Sequence, residues 1–480
     1  MSQFEYPFRC DGVLPRAVSR RAMLKKLTTG FGYMAFAGLA TQAALAEKAV
    51  QAASGAGEKS LLLPKKPHFP PRAKRVIFLG MEGAPSHADT FEYKPKLNAD
   101  DGKPGRDNEF RTIIGSPFKW ARHGQSGAWV SELFPNVATK VDELCFLRGM
   151  WTNVPALHPQ AWPAMHTGSP VFVRPSMGSW VLYGLGTENQ NLPGFISIKP
   201  ALSIGGGQSY ESAFLPSVFS ATRIGESKTP IKDCNVNNIS NAQISNKTQR
   251  QQIDLVQQMN HDLLKKGNLD HQVEGVIESY ELAFKMQGEV PDVTDISKES
   301  QATLELYGVG QDETDDFARQ CLLARRFAEA GVRFIEVCYD DWDHHGQLYS
   351  GLKKSCKAVD QPIAALLTDL KQRGMLDDTL ILWGGEFGRT ADCPKPDGRD
   401  HSTKGWTMWM AGGGVKKGYS YGATDEYGID AVEGRMDYHD LHATLLHILG
   451  LDHEKLTYRY AGRDFRLTDV YGEVATDILA

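Results

Sequence analysis

Between residues 315 and 383 the chain alternates helix, strand, helix and strand, and that order leaves few folds open. Phe317, Cys321, Ala324, Phe327 and Ala328 recur at helical spacing, and Gly331 offers a C-terminal cap. Residues 332–337 then read as a strand. After a loop over 339–347, Leu352, Val359, Ile363, Leu366, Leu367 and Leu370 mark a second helix, ended by Gly374 and followed by a strand at 379–383. Strands joined by helical crossovers run parallel, so the expected fold class is α/β, with a doubly wound, mostly parallel central sheet flanked by helices. The run 75–79, Arg-Val-Ile-Phe-Leu, is nearly all apolar and fits a strand buried on both faces near the middle of that sheet. A later helix carries Leu441, Leu445, Ile448 and Leu449 on one face and stops at Gly450.

Ahead of the sheet, Ser19-Arg20-Arg21-Ala22-Met23-Leu24-Lys25 precedes an apolar run at 31–45 and the small-x-small triplet Ala44-Leu45-Ala46. Charge, apolar run and cleavage site in that order read as a twin-arginine signal peptide over residues 1–46. The run is shorter than the roughly 20 residues that a membrane-spanning helix needs. The expectation is a periplasmic or extracellular protein that meets the twin-arginine translocase during export and keeps no membrane span after cleavage. Residues 47–73 contain Pro64-Lys65-Lys66-Pro67-His68-Phe69-Pro70-Pro71 and read as a linker. Residues 74–480 form the α/β domain, with an insertion or cap at about 201–300, where Asn, Gln and Ser are enriched before helical periodicity resumes.

The 41% hydrophobic content is enough for a large core, and the net charge of -5 gives no basic footprint for nucleic acid or an anionic membrane. A small-molecule or polysaccharide substrate stays open. Cys145, Cys234, Cys321, Cys338, Cys356 and Cys393 are widely spaced, without a Cys-x-x-Cys pair, and read as small buried hydrophobes.

In open α/β sheets ligands bind beyond the carboxyl ends of strands. Three such loops carry carboxylates: Glu82 to Asp89 after the first strand, Asp340-Asp341-Trp342-Asp343-His344-His345 after the second, and Glu386-Phe387-Gly388-Arg389 after the third. Gly398-Arg399-Asp400-His401 follows. Carboxylates and imidazoles gathered at one sheet edge repel or stay desolvated unless a cation joins them, and a mixed oxygen and nitrogen donor set suits a divalent metal. Singly, each residue has a plainer role: Asp89 could cap a turn, Glu386 could pair with Arg389, and His401 could fill a polar loop. Either Asp341 or Asp343 could share a metal with His345.

The stretches 75–90, 158–168, 178–195, 342–347, 385–390, 398–401 and 440–470 resemble the "domain of unknown function 1501" family, exported sulfatase-like proteins of the alkaline phosphatase superfamily. That resemblance implies up to two metals at the sheet edge, zinc, manganese, calcium or magnesium, and a nucleophile at a helix start. Glu82, Asp343 (or Asp341), His345, Glu386 and His401 stand at the positions of metal ligands. Phe387 replaces a usual histidine, which speaks against a complete second site. His158 stands ahead of Thr167-Gly168, where sulfatases hold their modified Cys or Ser, and no Cys/Ser-x-Pro-x-Arg motif occurs in the chain.

A formylglycine cannot be made from histidine, so the expected function is a metal-dependent hydrolase of sulfate or phosphate esters without that group. His158 could bind metal, act as acid or base, or attack directly; Ser86, Thr152 and a metal-activated water are the alternatives. Arg389 could clamp an ester oxygen or form a structural ion pair. The alternative function is a catalytically degenerate protein of this fold that binds an anionic glycan or a partner protein.

Overall fold

The structure is a computed structural model, and it describes residues 60–106, 108–234, 244–266 and 271–480. The signal over 1–46 and the first part of the linker lie outside the described residues. No helix among the described residues is long and apolar enough to cross a membrane.

Eight strands make the central sheet: β1 (Arg75–Met81), β2 (Leu144–Met150), β3 (Phe195–Ile198), β4 (Thr222–Ile224), β5 (Phe334–Tyr339), β6 (Thr379–Gly384), β7 (Trp406–Ala411) and β8 (Tyr419–Tyr421). Their order across the sheet is β8-β2-β7-β6-β1-β5-β3-β4. β1 pairs in parallel with β5 and β6, while β7 runs antiparallel to both of its neighbours. The mostly parallel arrangement and the interior place of β1 agree with the reading of the sequence. Val76, Ile77, Phe78 and Leu79 are fully buried, as a strand covered on both faces requires.

The longer helices are α1 (His158–Thr167), α2 (Met177–Leu185), α3 (Asn246–Lys266), α4 (His271–Thr294), α5 (Asp315–Glu329), α6 (Leu348–Gln372) and α7 (Tyr438–Ile448). α5 begins with Asp315 and Asp316, which favour the positive end of the helix dipole. α7 opens with a capping box in which the Asp437 carboxylate accepts from the backbone of His439 and Asp440. Gly374 takes a φ of 68° just after α6, a left-handed turn that glycine adopts without strain. Cys145, Cys321, Cys338, Cys356 and Cys393 are buried free thiols, and Cys234 is partly exposed.

Two expectations about organisation change. Residues 60–73 are docked rather than a free linker: Lys65 N–H donates to Leu185 O at 2.9 Å, His68 N–H to Gly450 O at 2.9 Å, and Arg72 N–H to Ile448 O at 2.8 Å. The carbonyls at a helix C-terminus lack partners inside the helix, and the extended, proline-rich segment supplies donors to the ends of α2 and α7. The stretch 201–300 does carry α3 and α4, but it also contributes β4, which pairs with β3 at the sheet edge. A strand as short as Thr-Arg-Ile is too brief to leave a periodic signal.

Candidate metal centre

The carboxyl ends of β1, β5 and β6 bring Glu82, Asp343 and Glu386 to one edge of the sheet, where His158 and His401 join them. His158 is the first residue of α1, with Pro159 behind it in the first turn and Leu157 extended at the cap. Asp343 and His345 lie on the loop after β5, and His401 pairs with Arg389 in a two-residue ladder.

Three imidazole Nε2 atoms surround one carboxylate oxygen. Asp343 Oδ1 lies 3.3 Å from His158 Nε2, 3.1 Å from His345 Nε2 and 3.0 Å from His401 Nε2. His158, Asp343 and His401 each offer a ligand atom within 4.8 Å of the others, so the group could hold a metal ion. Every ring is held through its other nitrogen: His158 Nδ1 by Glu386 Oε1, His345 Nδ1 by Asp400 Oδ1 at 2.9 Å, and His401 Nδ1 by the Ala156 carbonyl at 2.8 Å. An Nδ1–H that donates to oxygen leaves the Nε2 lone pair free, the tautomer that metal-binding histidines use. His158 Nε2 is buried and faces Asp343 Oδ1 at 3.3 Å without a well-aligned hydrogen bond. Phe387 packs against the rings of His158 and His401 at centroid distances of 4.9 Å and 4.7 Å.

The electrostatics follow from these contacts. Burial works against charge on the His158 imidazole, but the Asp343 and Glu386 carboxylates outweigh it and hold the group at about 9, so without a metal the ring carries a proton on both nitrogens near neutral pH and an ion must displace the one on Nε2. Burial also opposes ionisation of Asp343, and contacts with His158, His401 and Arg389 override it, keeping the carboxyl well below the usual range. Burial pushes Glu82 up to about 7; its Ser203 hydrogen bond opposes that rise, and Asp340 and Glu386 add to it.

Glu386 is fully buried and stands behind the imidazole cluster, where the Gly83 N–H donates to its Oε1 at 3.1 Å and Tyr438 donates to its backbone carbonyl. Glu82 also stands apart, accepting from Ser203 Oγ at 2.9 Å. Arg389 is not placed as a clamp for an ester. Its guanidinium is buried and donates to the carbonyls of Gly83, Ala84, Trp342 and Arg399 and to Asp343 Oδ1 at 2.8 Å, so it ties the three strand-end loops together.

The secondary candidates do not enter the cluster. Asp89 pairs with the buried guanidinium of Arg399 at 2.6 Å and accepts from Ser86 Oγ at 2.6 Å. Asp341, with a φ of 77°, pairs with Lys354 at 2.7 Å. Thr152 bonds locally, its Oγ1 accepting from Val154 N–H. The sequence reading passed over Asp400, which holds His345 and is itself held by Arg111 at 2.5 Å, although its place beside His401 was a signal. It also passed over Ser203, which sits in a Gly-rich turn with no metal-ligand or nucleophile pattern.

A mostly parallel α/β sheet whose strand ends gather a histidine and carboxylate centre defines the class of this protein. Within that class the chain belongs to the family described as "Protein of unknown function (DUF1501)", which matches residues 73–479. No curated protein matches the chain in sequence. Among solved structures, the PsFucS1 sulfatase from Pseudoalteromonas sp. is 15% identical, with 80% of this chain and 68% of that chain covered and a TM-score of 0.35. A protein in the alkaline phosphatase superfamily from Vibrio parahaemolyticus is 11% identical, covering 82% and 70%, with a TM-score of 0.34. The phosphonate monoester hydrolase SpPMH from Silicibacter pomeroyi is 10% identical, covering 78% and 73%, with a TM-score of 0.29. Superpositions of that quality assign no residue role.

Proposed function

We propose that this protein is an exported, metal-dependent hydrolase of phosphate or sulfate esters that works without a formylglycine. The observation that carries the reading is the convergence of His158, His345 and His401 Nε2 on Asp343 Oδ1, with each Nδ1 already engaged by an oxygen. These four residues would hold the ion. A donor set rich in imidazole favours zinc over the oxygen-preferring calcium and magnesium.

A divalent ion held by these residues would supply Lewis-acid chemistry, offsetting negative charge that develops on an ester oxygen. The chain's own groups prepare the site. Glu386 orients His158, and the Gly83 N–H in turn orients Glu386. Asp400 and the Ala156 carbonyl set the tautomers of His345 and His401. Arg389 keeps Asp343 ionised and fixes its direction. His345 and Asp343 are partly exposed, so a soluble ester can reach the donors. The twin-arginine signal over 1–46 supports export in the folded state, which lets the centre take its metal before translocation.

The test is elemental analysis of the purified mature protein beside hydrolysis of a panel of phosphate, sulfate and phosphonate esters. The wild type should carry a divalent metal and cleave at least one ester, and His401→Ala and Asp343→Ala should lose both. A metal-free wild type, or variants that keep metal and activity, would overturn the reading.

A further inference from the structure

The loop between α1 and α2 ends in an apolar tip. Val171, Phe172 and Val173 are 74%, 66% and 56% exposed. Successive side chains of a non-helical segment point to different sides, so three in a row can all face solvent only where the backbone projects from the surface. Pro170 and Pro175 bracket the tip and restrict its backbone, and the Phe172 N–H donates to Ser169 Oγ at 3.0 Å. None of the three apolar side chains carries a hydrogen-bonding group.

The base of the tip is aromatic and cationic. The Arg174 guanidinium lies over the rings of Phe172 and Phe465, at 5.2 Å and 4.5 Å. Arg463, on the hairpin formed by Tyr458–Tyr460 and Arg463–Phe465, lies over the same Phe465 ring at 4.7 Å. Asp469 acts on both guanidiniums and is bonded to Arg463, which leaves Arg174 without a carboxylate partner among the described residues. The neighbouring Arg459 and Arg466 pair with Asp464 and Glu454, so the unbalanced charge here belongs to Arg174, a local excess that the net charge of -5 averages away. Two exposed tyrosines extend the surface. Tyr460 stacks on Phe214 with ring centroids 5.1 Å apart, and Tyr471 packs on His439, whose Nε2 meets the Gly168 carbonyl at the foot of the loop at 3.1 Å.

We propose that this loop docks the protein on a phospholipid surface, with Val171, Phe172 and Val173 entering the acyl boundary, Arg174 meeting lipid phosphate, and Tyr460 and Tyr471 lying at headgroup level. The sequence of groups along the projection decides the partner. A cation immediately behind an apolar tip matches the order of phosphate and hydrocarbon in a bilayer, tyrosine rings suit the layer between them, and a guanidinium binds phosphate through its forked donors. A sugar needs hydrogen-bonding side chains around the ring that it stacks on, and the tip has none. A protein partner needs a pocket shaped to a projecting tip, whereas a bilayer yields to one. Three apolar side chains and one unbalanced cation make a reversible attachment, not an anchor.

Two readouts on the full-length mature protein test the proposal. The first is co-flotation with vesicles of equimolar phosphatidylethanolamine and phosphatidylglycerol. The wild type should float with them, and Phe172→Glu should weaken binding by about 10-fold or more; the ring is exposed, so the variant should melt with the wild type. Arg174→Gln should bind less and lose the salt dependence of the wild type. The second readout places an environment-sensitive fluorophore on Val173→Cys in a Cys234→Ser background, Cys234 being the partly exposed thiol. Its emission should shift to the blue on adding vesicles and be quenched by doxyl-labelled lipid. A wild type that stays off the vesicles, a Phe172→Glu protein that floats as well as the wild type, or a fluorophore that lipid does not quench overturns the proposal. So does a fluorophore already shielded in a lipid-free dimer, which would assign the tip to a second copy of the chain. None of these measurements passes through the metal centre, so this proposal and the ester-hydrolase reading stand or fall separately.

Discussion

The Nε2 atoms of His345 and His401 stand 2.9 Å apart. The Nδ1 of one ring is held by Asp400 and that of the other by the Ala156 carbonyl, so in the neutral form two lone pairs face each other across that gap. They repel unless a cation or a shared proton lies beside them, and the carboxylate oxygen Asp343 Oδ1, 3.1 Å from one and 3.0 Å from the other, adds to the need for positive charge there.

Replacing either ring should therefore relieve the repulsion and lose the metal together. His345→Ala is expected to raise or preserve the Tm of the metal-free protein while lowering its metal content. Asp400→Asn, which leaves both rings but removes the charge behind one, should weaken metal affinity by about 10–100-fold. Competition with a chromophoric chelator measures both, and an unchanged affinity in Asp400→Asn would count against the ligand set.

Removing the metal should also be visible in stability. An ion present at about 100 times its Kd stabilises the folded state by about 2.7 kcal/mol, so treatment with a chelator should lower the Tm and re-addition of zinc should restore it. A Tm indifferent to both would mean that no ion binds the native state.

Asp89 offers a contrast between structure and site. It pairs with Arg399, both side chains fully buried, at 2.6 Å. Asp89→Ala leaves that guanidinium without a counter-charge and should cost about 3–5 kcal/mol, read as a lower urea midpoint, with metal content per folded molecule unchanged. Loss of metal without loss of stability would put Asp89 back among the ligands.

Acid sensitivity should trace in part to His442. Burial holds this imidazole down at about 3, with His439 adding to the effect, and its Nε2–H donates to the Met165 carbonyl at 2.7 Å. The unfolded chain binds a proton near pH 6.5 that the folded chain refuses until about pH 3. Its contribution is thus fully present above pH 6.5 and falls as the pH drops through that window, by up to about 1.4 kcal/mol per pH unit. Denaturant midpoints from pH 7 to 4 should show the slope, and His442→Gln should flatten it; an equal slope in the variant would assign the loss elsewhere.

Gly83 should tolerate no side chain. It takes a φ of 101°, and a Cβ there would lie 2.7 Å from the Asp343 backbone nitrogen. Gly83→Ala is expected to displace the Asp343 loop and to lose metal, which elemental analysis reads directly.

Strands buried on both faces and helices with one apolar stripe write themselves into the sequence, and β1, β5, β6, α5, α6 and α7 were legible for that reason. The strand-end loops also put Asp343, His345 and His401 in one company with Glu82 and Glu386, whereas His158 entered only through the family resemblance. Which atom of each residue faces the others was not legible. Glu82 and Glu386 occupy the same edge, yet Glu82 turns to Ser203 and Glu386 to the outer nitrogen of His158, and Arg389 turns inward to carbonyls. Those directions depend on backbone groups such as Ala156 O and Gly83 N–H, which any residue type would supply, so no side-chain pattern announces them. Pro64 to Pro71 misled in the opposite sense, since an extended segment looks the same whether it floats or docks.

Arg389 gathers carbonyls from the loops after β1 and β5 with its own, and His401 completes the ring of imidazoles. A ribosome must therefore have made most of the chain before the first of these groups has a partner. The last donor arrives late: a molecule truncated before residue 401 would carry six of the sheet's strands and His158, Asp343 and His345, but not the fourth donor that closes the ring.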